Sequence, residues 1–279
     1  MTVYPFVFHI FGLEITGYGI MLMIAFLMAG WVMDKELRRR GLNRDFASDV
    51  VVAALIGGIV GAKLWYVALT GDPATILSRG GFVWYGGLAG GAIGVIFVGW
   101  LKRIPIRFTM DLTAPALAVG YAIGRVGCFL VEDDYGIPTH LPWGVKFPQG
   151  LPPTTAANLE RFRVHIPAGT PPNQVLAVHP TELYEVAAML FVFWILWRLR
   201  RNRHATGWLF GLYMVLAGIE RFLVEFVRAK DDRILHGFTL AQAASVIVVI
   251  VGVALLRRWW RDDGFSVADV ESLVPPAPA

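Results

Sequence analysis

Charge is scarce in this chain. Of its 279 residues only 16% are charged and 56% are hydrophobic, whereas a soluble domain carries about a quarter charged residues. The mean hydropathy is +0.57. An ordinary soluble globular protein is excluded. Cysteine is nearly absent: Cys128 stands alone, so no internal disulfide can form. There is no His and Cys spacing suited to a metal ion and no phosphate-cradling nucleotide loop, and no cofactor is expected. The N-terminus lacks a basic region followed by a small-residue cleavage site, so no removable signal peptide is expected. No internal repeat marks a transporter built of two related halves. The formal charge of +4 says little until the charges are placed, and no nucleic-acid partner is expected.

What is present is a series of apolar blocks. About seven are long enough for a helix to cross a bilayer, which takes roughly 20 residues. They run near 17–34, 47–69, 82–101, 109–130, 181–199, 207–227 and 238–256. Phe6 to Phe11 is apolar but too short to span. The expected class is an all-α polytopic membrane protein. Gly57, Gly58 and Gly61 give the second block a stripe of small residues, which lets helix backbones approach closely.

Basic residues orient the blocks. Lys35, Arg38, Arg39, Arg40 and Arg44 follow the first; Lys102, Arg103 and Arg107 follow the third. Arg198, Arg200, Arg201 and Arg203 follow the fifth, and Arg257, Arg258 and Arg261 the seventh. In an alternating seven-span arrangement all four groups share one side, which the positive-inside rule makes cytoplasmic. The N-terminus is then outside and the C-terminus inside. Residues 1–261 are expected to form the membrane domain, with residues 131–180 as a small folded cap on the outer face. Trp143, Val145 and Phe147 alternate there as in a short strand. Residues 262–279 are expected to be a disordered cytoplasmic tail.

Arginine in the apolar blocks is the main functional signal. Arg125 lies near the end of the fourth block, where hydrocarbon cannot solvate a fixed cation. Arg221, Glu225 and Arg228 are spaced i, i+4 and i+7 and share one helix face. They suit either a structural ion pair at the interface or a phosphate clamp, because Arg presents a planar fork of donors. The count favours the clamp: one carboxylate on that face cannot neutralise three arginines. Glu132, Asp133 and Asp134 follow the fourth block, and one of them is expected to orient Arg125. Gly136 comes next, where the chain turns beneath the cap. Tyr85, Gly86 and Gly87 open the third block; the glycines suit either helix packing or close approach of a ligand, and Tyr85 is either an interface anchor or a hydroxyl aimed at the reaction centre. His179 precedes the fifth block and is a candidate proton acceptor. Pro180 and the acids after it also suit plain helix capping.

These motifs resemble those of the bacterial prolipoprotein diacylglyceryl transferases from about Tyr18 to Gln242. The strongest are Gly124-Arg125-x-Gly127-x-Phe129 with Gly136, Leu141-Pro142-Trp143-Gly144, His179-Pro180-Thr181-x-Leu183-Tyr184-Glu185 and Arg221-Phe222-x-x-Glu225-x-x-Arg228. The resemblance implies an enzyme of the bacterial cytoplasmic (inner) membrane with its site at the extracytoplasmic face. Its partners are phosphatidylglycerol, the signal peptides of preprolipoproteins and the lipid bilayer. The diacylglyceryl group of phosphatidylglycerol passes to a lipobox cysteine thiol, a thioether forms, and glycerol 1-phosphate leaves. Arg125, Arg221, Glu225, Tyr85 and Tyr18 are then the expected catalytic residues. Arg125, Arg228, Gly86, Gly87, Gly136, Asp133 and His179 are the expected substrate-binding residues. The chain departs from the family pattern at Tyr85, where His is common, at Cys128, where Asn is common, and at Val131-Glu132-Asp133, where Asn-Gly-Glu is common. The proton acceptor is thereby left open among Tyr85, Glu225, an acid of 132–134 and water. The alternative is a divergent relative that modifies another acceptor, or only binds or transports phospholipid.

Overall fold

The structure is a computed structural model. It describes residues 1–10, 13–77, 81–202, 204–230, 233–235, 238–260 and 267–274. Phe11, Gly80, Arg203, Arg261 and tail residues 262–266 and 275–279 lie outside the described residues.

Two strands, β1 (Val7–Ile10) and β2 (Leu13–Thr16), pair antiparallel and lead into α1 (Gly17–Arg39). The Thr16 side chain caps α1 by accepting from the Gly19 amide at 3.3 Å, which satisfies one of the amides a helix start leaves open. There follow α2 (Asp45–Thr70), α3 (Trp84–Leu101), α4 (Ile106–Val131), the short α5 (Ala156–Arg161), α6 (Thr181–Leu199) and α7 (Trp208–Val224). A second small hairpin, β3 (Arg233–Leu235) and β4 (Phe238–Thr239), precedes α8 (Leu240–Arg258).

The helix positions follow the apolar blocks, and the chain is a polytopic helical membrane protein. Five helices, α1, α2, α3, α4 and α8, are long and apolar enough to cross a bilayer. Seven were expected. The two remaining long helices fall short for visible reasons: α7 has 17 residues, and α6 carries Glu182, Glu185 and Arg198 within its 19. Both pack within the bundle, α6 against α4 and α7 against α6 and α8.

Glycine sets the closest helix contact. A Cβ on Gly61 would overlap the Gly86 carbonyl, and one on Gly90 would overlap that of Gly57. The stripe on α2 therefore meets a matching stripe on α3. Backbones this close gain dispersion contacts that lipid tails cannot supply. Elsewhere α4 packs on α1, α6 and α7.

One end of the bundle bears the basic groups that flank α1, α3, α6 and α8. Here Leu37, Phe46, Phe108 and Leu112 form a buried core. Val270 and Leu273 join it from a short 3-10 helix, Val267–Leu273, and the Leu273 carbonyl accepts from the Asn43 amide at 2.7 Å. Disorder was expected from residue 262 onward. It does not hold for 267–273, because two apolar side chains find a place in the core.

The opposite end carries the cap. Tyr135, Val145, Phe147, Leu159 and Val178 form its own buried core, with the Tyr135 and Phe147 rings stacked at 5.7 Å. The alternating Trp143, Val145 and Phe147 do not form a strand. Only single bridges occur, Val145 with Val178 and Lys146 with Thr2. The N-terminal residues thus brace the cap: the Met1 amino group donates to the Gly144 carbonyl at 3.1 Å.

Candidate functional site

The site is built where α4, α6 and α7 end beneath the cap. On α4, Tyr121, Arg125 and Cys128 fall at i, i+4 and i+7, on one face. The helix stops at Glu132, whose φ of 61° is left-handed and turns the chain back over the helix end. This brings Asp134 against Arg125. The Thr181 hydroxyl, at the start of α6, donates to the Asp134 carbonyl at 2.8 Å and holds it there. Gly136 is required at the next turn, because a Cβ would stand 2.5 Å from the Val227 carbonyl and 2.8 Å from both the His179 Cβ and the Thr181 Cγ2.

Three arginines and three carboxylates close into a ring of alternating charge. Arg125 Nε lies 2.5 Å from Glu185 Oε2, and Glu185 Oε1 lies 3.4 Å from Arg221 Nη1. Arg221 Nη2 lies 2.7 Å from Glu225 Oε2, and Arg228 Nη1 lies 3.5 Å from the same oxygen. Arg228 contacts Asp134 directly, and Asp134 Oδ2 returns to Arg125 Nη1 at 2.5 Å. Lys230 hangs on the ring, its Nζ 2.6 Å from Asp134 Oδ1. Burial alone would raise the Asp134 pKa, but Arg228, Arg125 and Lys230 outweigh it and hold the carboxyl below its ordinary value.

Exposure grades around the ring. The Arg228 side chain is 4% exposed, Arg125 15% and Arg221 24%, so Arg221 is the most open arginine of the ring, while Lys230, outside it, is 44% exposed. Inside it, Arg228 Nε and Glu225 Oε1 are buried and lack hydrogen-bond partners among the described residues. Tyr121 braces the ring: its hydroxyl accepts from Arg125 Nε at 3.1 Å and Nη2 at 2.9 Å and donates to Glu185 at 3.3 Å.

The structure therefore brings Arg125, Arg221, Glu225 and Arg228 together, with Gly136 beneath them. The expected count of one carboxylate against three arginines is corrected, since Asp134 and Glu185 enter from other elements. Tyr18 starts α1 beside this site. A Cβ on Gly127 of α4 would meet the Tyr18 Cα at 3.2 Å, and the charges of Asp133 and Arg125 act on Tyr18. Asp133 lies in the same surroundings, where the charges of Lys230 and Arg125 act on it. Burial and Asp134 raise its pKa.

His179 stands at the edge. Its Nδ1 lies 3.0 Å from the Tyr184 hydroxyl, which also accepts from Trp143 Nε1 at 2.8 Å. Burial lowers its pKa, which keeps the ring neutral. Tyr85, Gly86 and Gly87 lie apart, on α3, which packs mainly on α2. Tyr85 is half exposed and meets Trp84 edge-on at 5.1 Å. A Cβ on Gly86 would overlap Gly61, and Gly87 faces Gly58 and Ala62. These two glycines serve helix contact here.

Tyr121, Glu185 and Lys230 escaped the choice of site residues, while Asp134 is the one of the three acids 132–134 that orients Arg125. Tyr121 had a signal, one helical turn before Arg125. Glu185 fitted a helix start too well to stand out. Asp134 cannot be told from Asp133 without knowing that Glu132 turns left-handed.

A bundle of apolar helices with an arginine–carboxylate ring at one end, under a folded cap, defines an integral membrane protein with a buried charged site. The family model for prolipoprotein diacylglyceryl transferase matches residues 5–258, and the chain belongs to that family. It is similar to the phosphatidylglycerol–prolipoprotein diacylglyceryl transferase of Clostridium tetani, 32% identical over 256 residues, covering 89% of this chain and 95% of that protein. The protein of the same name from Finegoldia magna is 29% identical over 260 residues, covering 90% and 94%. That from Xanthomonas oryzae pv. oryzae is 32% identical over 297 residues, covering 99% and 95%.

Proposed function

We propose that this chain transfers the diacylglyceryl group of phosphatidylglycerol to the lipobox cysteine of preprolipoproteins. A thioether forms and glycerol 1-phosphate leaves. Membership of the family and the names of its relatives support the reaction. The ring of Arg125, Glu185, Arg221, Glu225, Arg228 and Asp134 is the observation that carries the mechanism.

The chemistry needs what the ring holds. The lipobox sulfur attacks the glycerol carbon and a C–S bond forms. The carbon–oxygen bond to phosphate breaks, and the oxygen keeps its electron pair. The phosphodiester of charge −1 becomes a phosphomonoester of charge −2 once the thiol proton has gone elsewhere. Glu225 Oε1, buried and without a partner, receives that proton in this reading. A protonated Glu225 no longer neutralises Arg221 and Arg228. Their charge then turns to the leaving phosphate as that phosphate gains its second charge. Arg228 Nε, also lacking a partner, is a donor ready for one of its oxygens. Such donors act strongly because they are already oriented in a water-poor site.

Orientation follows from charge. With α6 and α7 counted as spans, the helices number seven and the basic end faces the cytoplasm. The ring, the cap and the N-terminus then face outward and the C-terminus inward, in the cytoplasmic membrane of a bacterium. The lipobox reaches the ring from the outer leaflet through its signal peptide.

The test is direct. Purified protein in detergent is given phosphatidylglycerol and a lipobox peptide, and the peptide is weighed by mass spectrometry. A diacylglyceryl mass gain that Arg125→Ala abolishes is expected. Failure of the wild-type protein to modify the peptide, together with failure to rescue a bacterium depleted of its own transferase, would overturn the reading.

A further inference from the structure

A carboxyl outside the ring faces the same arginines. Glu220, next to Arg221 on α7, is 8% exposed, and its Oε1 is buried without a partner among the described residues. The charges of Arg125, Arg221 and Arg228 attract it, and that of Glu185 on α6 repels it. Its own charge acts in turn on Tyr121 of α4 and Tyr213 of α7. The other helix packed on α7 is α8, which brings no titratable group between Leu240 and Leu256. Counted in full among the described residues, these surroundings are not cationic. Arg125, Arg221, Arg228 and Lys230 stand among the carboxyls of Glu185, Glu225, Asp134, Asp133, Glu182 and Glu220. With all of these ionised a phosphate would meet a surplus of negative charge, so it binds best where a carboxyl has taken up a proton.

We propose that Glu220 is a positioning residue that couples headgroup binding to a proton: protonated, it leaves the arginines to the phosphate, and ionised, it competes with the phosphate for them. The identity of the headgroup rests on the transferase reading. Glu185, Glu225 and Asp134 are each committed to two arginines by ion pairs. Glu182 answers to no arginine, since the charges that act most on it are those of Asp134, Asp133 and Glu185. Glu220 alone among these carboxyls faces all three arginines while standing outside their ion pairs. The proton comes from water when the lipid binds and returns there when the site empties. Loading the site with an anion makes Glu220 harder to ionise. Affinity is therefore level at low pH and falls as pH rises between the point where Glu220 ionises in the empty site and the higher point where it ionises in the loaded one.

The test measures equilibrium binding of short-chain phosphatidylglycerol to wild type, Glu220→Gln and Glu182→Gln, each purified in detergent, from about pH 6 to 9.5. The phosphodiester keeps its single charge throughout, so the pH dependence belongs to the protein. Wild-type affinity should fall toward the alkaline end, and Glu220→Gln, a fixed mimic of the protonated acid, should bind roughly threefold to tenfold tighter than wild type there and equally well at pH 6. Glu182→Gln should keep the wild-type slope. Calorimetry of the wild type in two buffers of different ionisation enthalpy should show proton uptake on binding within the falling part of the curve, and this reading does not depend on whether a variant folds. Transfer with normal turnover but no proton uptake at any pH, or a slope lost in Glu182→Gln and kept in Glu220→Gln, would overturn the proposal and leave the function standing. Proton uptake that Glu220→Gln abolishes, in a protein that transfers nothing, would uphold Glu220 and overturn the function.

Discussion

Arginine gathers at both ends of this bundle, and the two gatherings differ. At the basic end Glu36 is the shared acceptor. Arg39 and Arg40 reach it at 2.6 Å from the next turn of its own helix, and Arg200 reaches it at 3.2 Å from the end of α6. Arg200 also lies over the Trp197 ring. Three cations share one carboxylate, two of them placed by i+3 and i+4 spacing alone. At the cap end each arginine takes two carboxylates and each carboxylate at least two cations. The members come from α4, the turn after it, α6, α7 and the segment that follows. The first arrangement ties α1 to α6 and leaves its surplus charge to the membrane surface. The second is closed, and its three arginines face three carboxylates. The same two residue types make a clamp at one end and a site at the other, and the difference is whether the carboxylates match the arginines in number.

The largest expected effect separates the two ends by activity. Arg125→Ala and Arg221→Ala should each lower transfer by about 100-fold to 1,000-fold, the usual loss for one preoriented donor, while the proteins still fold. Arg200→Ala should leave turnover per folded molecule near wild type. Equal losses at both ends, assayed on purified protein in detergent, would erase the distinction.

Next comes stability. Glu185→Ala leaves Arg125 and Arg221 short of a partner, and Glu36→Ala does the same to Arg39, Arg40 and Arg200. Each should destabilise by roughly 3–5 kcal/mol, the loss typical of a broken buried pair, read by thermal melting. Only Glu185→Ala should also lower turnover of the protein that remains folded.

pH gives a smaller and signed effect. Glu132 is fully buried where α4 ends, and its carboxyl is pushed up to about 7 by burial, from an ordinary 4.5. The folded protein prefers it protonated. Stability is then greatest below pH 4.5, falls as pH rises from 4.5 to 7 and is level above that. Glu132→Gln should melt higher than wild type at pH 8 by about 2–4 °C, the shift expected per kcal/mol, with no gain at pH 4. Asp134 behaves oppositely. Its lowered pKa contributes stability above its ordinary value that is lost only as pH falls through the folded one, so the ring persists in mild acid.

The smallest effect is at Cys128, whose sulfur lies 3.8 Å from Arg125 Nη1. Cys128→Ser should change turnover less than about threefold, because the thiol packs as a small apolar group. Complete loss would argue for a covalent intermediate.

Much of this fold was legible because hydrocarbon is a strict solvent. The block near 109–130 became Ile106–Val131, and that near 47–69 became Asp45–Thr70. The glycine stripe on α2 announced a close contact, and α3 supplied the matching one. α6 and α7 were harder to class because charge and shortness dilute their apolar character. The site was legible at Arg221 and Glu225, one helical turn apart, but the single helix face expected for Arg228 as well does not hold: α7 ends at Val224, and Arg228 enters from the turn that follows, bridged to Gly136. It was not legible where the backbone decides. Asp134 reaches Arg125 only because Glu132 adopts a left-handed turn, and Glu185 lies beside Arg125 only because α6 packs on α4. Tyr85 illustrates the reverse: a motif position with a family precedent that the structure sets on the far helix pair. Val270 and Leu273 bury their side chains within a segment whose composition reads as tail.

The central claim is that arginines on separate helices act as one unit through shared carboxylates. A double-mutant cycle of Arg125→Ala and Arg221→Ala, read as equilibrium binding of phosphatidylglycerol, tests it most directly. The two losses should be strongly non-additive, with a coupling of about 1–3 kcal/mol, because both residues hold Glu185. Losses that simply add would contradict the ring.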